Sequence, residues 1–551
     1  MSGQGETVTV NASQGSTTFK TTTMVGCFVD VYPFEGNSFS LTDAQILSCT
    51  VEKNIKADQG SFRIVLAPQT LAGYQSWAQI ITPMSFVVIG MSRGDHSEIV
   101  MMGIVNSISE PEKWQSGQSV QRAVILEGAD ISYFFTMSDY YSAWFLAVSG
   151  DATISIISPG LLQGNPGSIG ETWFKQIMSA AFGKTYVPYK SGQITFPQLI
   201  GTQFDDYPTF IPYGEYFIGA NGTWMQKFRK IFPFPIYEFF VTTVQSGNYG
   251  TAGGTPVSSN GQGSGVTAGA AMIARLNPLP KLVSSAGADG TASFDSIDVS
   301  DWNGLPNFDL EGVGYVEKEV GFTDAEVLNF FNINPVWLNG LNGVSNSNIV
   351  MGTLLFTYAL DLASIGRYGY RPLSFDVPWF SDPSGQAAKE TTKQQVFNSF
   401  ARVLGELAGY YEAAPLMGKS QVSTWLRPDI QIGCKFTYQA FRTNEDWDFY
   451  IEGVTHNYVM GGESTTTLLL TRGLPHSVYN DSGAGGVLYN IHIGNAQKVN
   501  GVYQTGLPDG SQKPLQAFTP TQFADLVATL NNLFTQPQGI VTQQGGNPTG
   551  P

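Results

Sequence analysis

Short apolar runs cut by glycine and proline dominate this chain, and they predict strands more often than helices. Residues 1–45 open with a polar Thr/Ser/Gly stretch and carry one short apolar strand, Met24 to Val31. From Ile46 the strand signal is steady. Ser61 to Ala67 is closed by Pro68, and Pro83 to Gly90 is almost wholly apolar, as a strand buried on both faces would be. Glu98 to Ile108 and Val120 to Gly128 read as a hairpin whose polar turn holds Ser116-Gly117-Gln118-Ser119. Trp114 stands at the edge of that turn, placed either to pack back on the strands or to anchor a partner.

The period then changes. Trp173, Phe174, Ile177, Met178, Ala181 and Phe182 form one helical stripe, and Trp224, Met225, Phe228, Ile231 and Phe232 form another, halted at Pro233. Tyr237 to Val244 reads as a strand. Residues 246–270 are Gly/Ser/Thr-rich and predict a flexible loop. Thr323 and Glu326, flanked by Phe322 and Val327, have the spacing of a capping box with a hydrophobic staple and predict a short helix. The longest helix is expected over Glu390 to Tyr411, with Val396, Phe400, Val403, Leu407 and Tyr411 on one face and Phe397 and Leu404 widening it. Residues 476–518 read as loop. Thr519-Pro520 starts a last helix whose apolar face is Phe523, Leu526, Val527, Leu530 and Leu533, and the tail from Gln536 reads as disordered until bound.

One pattern occurs twice, at an offset of 343 to 350 residues. The first copy runs Pro83, Phe86, Ile89-Gly90, Gly103-Ile104-Val105 and Val124 to Gly128. The second runs Pro428, Ile430, Ile432-Gly433, Gly453-Val454-Thr455 and Leu469 to Gly473, with its turn at Met460-Gly461-Gly462-Glu463. Each reads as a strand ending in glycine, a loop and a long hairpin. Glycine-rich β chains also produce such look-alikes by chance. A true repeat gives one chain two equivalent surfaces and a trimer six, the arithmetic of an adaptor between threefold and sixfold objects.

Composition narrows the class. The 551 residues suffice for several cores, and only 13% are charged, about half the usual ~25%. With 62 glycines and 29 prolines this is an α+β, β-dominated chain with many tight turns and much surface buried in assembly. The net charge of −16 argues against gripping nucleic acid. Cys27, Cys49 and Cys434 are too few and too far apart for a disulfide framework, which points to a reducing compartment. No secretory signal and no membrane-spanning run are expected.

Candidate chemistry is thin. His96, His456, His476 and His492 lack metal-ligand spacing, and neither HExxH nor GxSxG occurs. Gly261 to Gly265 lacks the Lys-Ser/Thr of a phosphate loop. Asp205, Asp206, Glu215 and Glu238 are the carboxylates to examine as a glycosidase pair, although single acids on β scaffolds are mostly surface groups. Lys227, Arg229 and Lys230 form the densest basic patch and are expected to balance local acid. No catalytic residue, cofactor or metal is assigned.

Several segments in order carry a resemblance: Ser61 to Leu66; Gly103-Ile104-Val105 with Gly128-Ala129-Asp130; Val316-Glu317-Lys318-Glu319; Asp324 to Phe331; Asp361 to Pro372; Tyr450 to His456; and Thr471-Arg472-Gly473. Over roughly 46–475 the chain resembles the baseplate hub family of tailed bacteriophages, which includes the late-control hubs of contractile tails. The resemblance implies two tail-tube-like β-barrel domains joined by mixed α/β segments. Boundaries follow: an arm at 1–45, a first barrel at 46–150, a mixed region at 151–375, the long helix and second barrel at 376–475, and an extension at 476–551 with a helix at 520–534. It implies a non-enzymatic homotrimer in the virion tail baseplate, assembled in the host bacterial cytoplasm. Its partners would be the tail spike, the tail tube, other baseplate proteins and the tape measure protein. DNA would pass through the lumen without specific binding, and the chain would not insert in a membrane. A trimer of chains at −16 each carries −48, so an acidic lumen is expected. The apolar face from Phe523 to Leu533 is the candidate partner-binding surface, or else packs on its own chain. The alternative is a tail-associated carbohydrate-binding or cell-wall-degrading protein.

Overall fold

The computed structural model describes most of residues 7–138, 162–245, 268–335, 358–377 and 403–476, with short strands at 497–499, 502–506 and 512–513. Residues 1–6, 139–161, 246–267, 336–357, 378–402, 477–496 and 514–551 lie outside the description, as do shorter stretches such as 69–75, 114–120, 208–214 and 412–417.

A 13-stranded sheet organises the chain. Its first strands are β1 (Val25–Tyr32), β2 (Phe39–Leu41), β3 (Ile46–Asn54), β4 (Ser61–Leu66), β5 (Phe86–Arg93), β6 (His96–Ser109) and β7 (Val124–Asp130). A separate three-stranded sheet of β8 (Ile200–Phe204), β9 (Tyr237–Gln245) and β10 (Ala268–Leu276) comes next in the chain. The large sheet resumes with β11 (Asn307–Phe308), β12 (Tyr315–Gly321), β13 (Gly418–Trp425), β14 (Lys435–Tyr438), β15 (Trp447–Val459) and β16 (Thr465–Pro475). The order is β12-β13-β16-β15-β3-β4-β7-β6-β5-β1-β2, with β14 on β15 and β11 on β14.

That order contains the repeat. Strands β4, β5, β6 and β7 lie side by side as β4-β7-β6-β5, and β13, β14, β15 and β16 lie as β13-β16-β15-β14. Each set has an antiparallel strand outside its first member, β3 beside β4 and β12 beside β13. The two copies found in the sequence therefore share connectivity and neighbours, and the repeat extends two strands toward the N-terminus of each copy. The units join where β15 pairs with β3, from Gly453↔Asn54 to Val459↔Ser48.

Alternation explains why these segments curl around cores of their own. In β4 the pattern puts Phe62, Ile64 and Leu66 inside, and in β13 it buries Val422 while Gln421 and Ser423 point outward. The first core gathers side chains from β1 to β7 and is plugged by Trp77 and Ile81 of helix α1 (Trp77–Ile80) and its cap. The second gathers β13 to β16 around Trp302 and Phe449. Strand β1 is five steps from β3 in the ladder order, yet the two touch. The first unit thus curls almost back on itself and leaves a seam with no ladder between β1 and β3. Within residues 1–45, β1 pairs along its whole length with β5 and buries Cys27, Val29 and Val31.

Matched glycines in the repeat serve close approach. A Cβ on Gly128 would lie 2.1 Å from the Ile104 carbonyl oxygen and 2.3 Å from the Phe62 ring, and one on Gly473 would lie 2.1 Å from the Phe449 ring. Valine at either position is expected to destabilise by about 1–3 kcal/mol through overpacking. Valine at Gly321, where nothing lies within 4 Å, is expected to stay within about 0.5 kcal/mol. Thermal denaturation of the three variants checks this, and equal effects at all three would refute the packing argument.

The third core holds the middle region. Helices α2 (Tyr133–Met137), α3 (Pro166–Ala180) and α4 (Trp224–Ile231) cover the β8-β10-β9 sheet. The described residues of both predicted stripes point inward, Trp173, Phe174, Ile177 and Met178 meeting Trp224, Met225, Phe228 and Ile231, while Ala181 and Phe182 lie outside the described residues. The rings stack against strand residues, with Phe228 and Phe239 at 5.5 Å and Phe232 and Phe239 at 5.8 Å. Thr223 caps α4 with Gln226 returning the bond.

Two expectations are corrected. The Thr323/Glu326 segment is a turn, not a helix. The Thr323 hydroxyl accepts from Ala325 N at 3.1 Å, Glu326 pairs with Lys419 at 2.7 Å, and Arg371 holds Asp324. A capping signal and a Ser/Thr turn share residue types, and here the ion pairs select the turn. Residues 476–518 are not all loop: strands at 497–499 and 502–506 pair with each other, and the second meets the strand Ala292–Asp298. Of the helix expected over 390–411, Val403, Leu407, Tyr410 and Tyr411 are described as helical, with Val403 and Leu407 buried. Trp114 and the face from Phe523 to Leu533 lie outside the described residues.

Candidate functional site

The described chain concentrates its buried charge where the two units and the middle region meet. Glu238 on β9 is wholly buried, and so nearly are Arg275 on β10 and Arg472 on β16. One Glu238 oxygen lies 2.6 Å from Arg472 Nη1, and the other lies 3.2 Å from Arg275 Nε. The Tyr450 hydroxyl on β15 donates to the same carboxylate. Arg275 Nη2 also donates to the Gly433 carbonyl at 2.6 Å, and Arg472 Nη1 to Asn277 Oδ1 at 3.2 Å. Two guanidiniums thus face one carboxylate. The surplus positive charge is spread over these acceptors and over the Tyr450 ring, 4.1 Å from the Arg472 guanidinium.

Burial alone would raise the Glu238 pKa, but Arg472 and Arg275 outweigh it and hold the carboxyl below its ordinary value. Burial drives the Tyr450 hydroxyl well above its ordinary value. A carboxylate held between two arginines and a phenol is a pin between β9, β10, β15 and β16. The other carboxylates raised from the sequence also have local duties. Asp206 accepts from Ser168 N at 2.8 Å at the start of α3, and Asp205 accepts from Leu276 N at 3.4 Å. Glu215 lies in a two-residue strand paired with Leu162–Gln163. Arg229 of the basic patch pairs with Asp58 at 2.7 Å, balancing local acid.

Further contacts tie the units together. The Arg427 fork holds Asp429 at 2.9 and 2.7 Å, and His96 at the start of β6 comes within 3.9 Å of the same carboxylate. Lys56 meets Glu452 at 2.9 Å, and the half-buried Lys53 donates to Thr243 Oγ1 at 2.8 Å. Burial pulls the Lys53 amine down to about 8, against the opposing pull of Asp130. His456 Nδ1 lies 3.0 Å from Thr466 Oγ1, which already accepts from Arg427 N at 2.8 Å.

Two of the seven segments behind the family resemblance fall on this junction. Tyr450, Gly453 and His456 lie on β15, and Arg472 and Gly473 on β16. Sequence reasoning missed Arg275 altogether. The available signal for Glu238 and Arg472 was a lone charge inside an apolar strand, which must find a partner. Among the described residues no group of three His, Cys, Asp or Glu converges as a metal site, and no helix is long and apolar enough to cross a membrane.

No protein-family model and no curated protein matches the chain. Solved structures do. A tail protein from Neisseria meningitidis matches at 10% identity over 84% of this chain and 99% of its own, with a TM-score of 0.42. The prophage MuSo2 tail protein from Shewanella oneidensis matches at 11% identity over 82% and 98%, with a TM-score of 0.41. A prophage tail protein from Listeria monocytogenes matches at 9% identity over 84% and 99%, with a TM-score of 0.38. These structural neighbours are tail proteins, two of them from prophages.

Proposed function

We propose that this chain is a structural baseplate hub of a phage tail, a homotrimer that adapts a threefold spike to a sixfold tail tube and lines the DNA channel. The supporting observation is the repeat in three dimensions: β4-β7-β6-β5 and β13-β16-β15-β14 have one order and connectivity, and each has its own core. Two such units per chain give a trimer six tube-like elements. The pinned junction suits the role, because an adaptor must hold its two units at a fixed spacing. The net charge of −16 suits a lumen that DNA passes without sticking.

The test is cryo-electron microscopy of the assembled tail, with light scattering of the purified full chain. Three copies with six repeated units around one axis are expected. Six chains per ring, or a basic channel, would overturn the reading. The same particles address the segment 519–534. On this reading its face of Phe523, Leu526, Val527, Leu530 and Leu533 is covered by a neighbouring chain or the spike, and a helix free in solvent would remove that assignment.

A further inference from the structure

The seam of the first unit brings two thiols together. Cys27 on β1 pairs in register with Met91 of β5, and Cys49 on β3 pairs with Ile64 of β4 and Tyr458 of β15. The strands are not laddered to each other, yet both side chains turn into the same core, 2% and 0% exposed, and the two thiols contact each other there. Asp43 fixes the spot: its Oδ1 accepts from Cys27 N at 2.5 Å, and it hydrogen-bonds the Tyr458 side chain. None of the three cysteines is in a disulfide, all are buried, and Cys434 belongs to the other unit's core.

We infer that Cys27 and Cys49 are a disulfide-forming site that closes the β1–β3 seam covalently when the chain meets a low-molecular-weight disulfide. In the reaction one cysteine thiolate attacks a sulfur of the reagent and expels one thiolate of it. The second cysteine then attacks the mixed disulfide on the first and expels the other reagent thiol. The protein pair gives up two electrons, the reagent disulfide is reduced to two thiols, and these take up the two protons. The contact with Cys49, burial and Asp43 together push the Cys27 thiol up, so the closed seam holds it protonated and unreactive. Reaction requires β1 to lift. On its β3 side that lift breaks no ladder hydrogen bond, and beyond β1 the sheet ends in the three-residue β2.

The test uses the folded full chain with oxidised glutathione, followed by alkylation under denaturing conditions and peptide mass mapping. The expected product is an intrachain Cys27–Cys49 link with Cys434 alkylated, formed faster at higher pH. The thermal midpoint should rise on oxidation and return on reduction, because the link constrains the unfolded chain. Cys434→Ser should give the same link, and Cys27→Ser should give none. Three alkylated cysteines, a mixed glutathione adduct as the end product, or a link through Cys434 or between chains would each overturn the inference. The mapping on the unaltered chain decides the question even if Cys27→Ser does not fold.

Discussion

Glu238→Gln is expected to destabilise the folded chain by about 3–5 kcal/mol, the range for breaking a buried ion pair by removing one partner. The substitution keeps the shape of the side chain, so the loss isolates charge. Arg275 and Arg472, both nearly inaccessible, would then face a neutral amide and the Tyr450 hydroxyl. Replacing the three charges together by Leu, Met and Leu is expected to be nearly neutral or stabilising, since the desolvation penalty of the ions disappears with them. Urea and thermal midpoints of the single and triple variants check the pair of expectations. A single variant within about 0.5 kcal/mol of the parent would show that the junction is held by packing alone. The acid side has a definite sign. The folded Glu238 pKa lies below its unfolded value, so its contribution is present above roughly pH 4.3 and is lost as pH falls through the folded value.

Much of the architecture was legible in the chain because strand signals are local. The hairpin β15–β16 could be read from its apolar arms and Met460-Gly461-Gly462 turn, where Gly461 takes a φ of 65°. The helical stripe ending at Phe232 needed only its own spacing. The repeat was visible through its glycines, though Gly128 and Gly473 sit under rings from different strands, Phe62 on β4 and Phe449 on β15. The order of strands was not legible. That β15 would pair with β3, about 400 residues earlier, depends on burial shared between segments that no window spans. The junction was hidden for the same reason. Glu238, Arg275 and Arg472 are each an isolated charge in an apolar strand, and only folding brings them together. The Thr323 turn was misread because its decisive partners, Lys419 and Arg371, are also remote.

The second large effect is expected at mildly acidic pH. His456 is buried between β3 and β16, and burial, with the nearby Lys53 charge adding to it, pulls its pKa down to about 3, against the weaker pull of Asp429. The ring is therefore neutral in the folded chain at any pH above that value, whereas in the unfolded chain it takes up a proton below roughly 6.5. For a base whose folded pKa is depressed, stability is full above the unfolded value and falls as pH drops toward the folded one. Between pH 7 and pH 5 the protonation of the unfolded chain amounts to about 2 kcal/mol of lost stability from this residue alone. Protonating the folded ring is no escape, because a charged, buried ring would have to stand beside the Lys53 charge. His456→Gln keeps a hydrogen-bonding side chain without a titration in this window. Whatever it does to absolute stability, it should flatten the change in urea midpoint between pH 7 and pH 5 relative to the parent. An unchanged slope would mean that His456 does not hold the neutral form at the join of the two units, and that acid weakens the chain elsewhere.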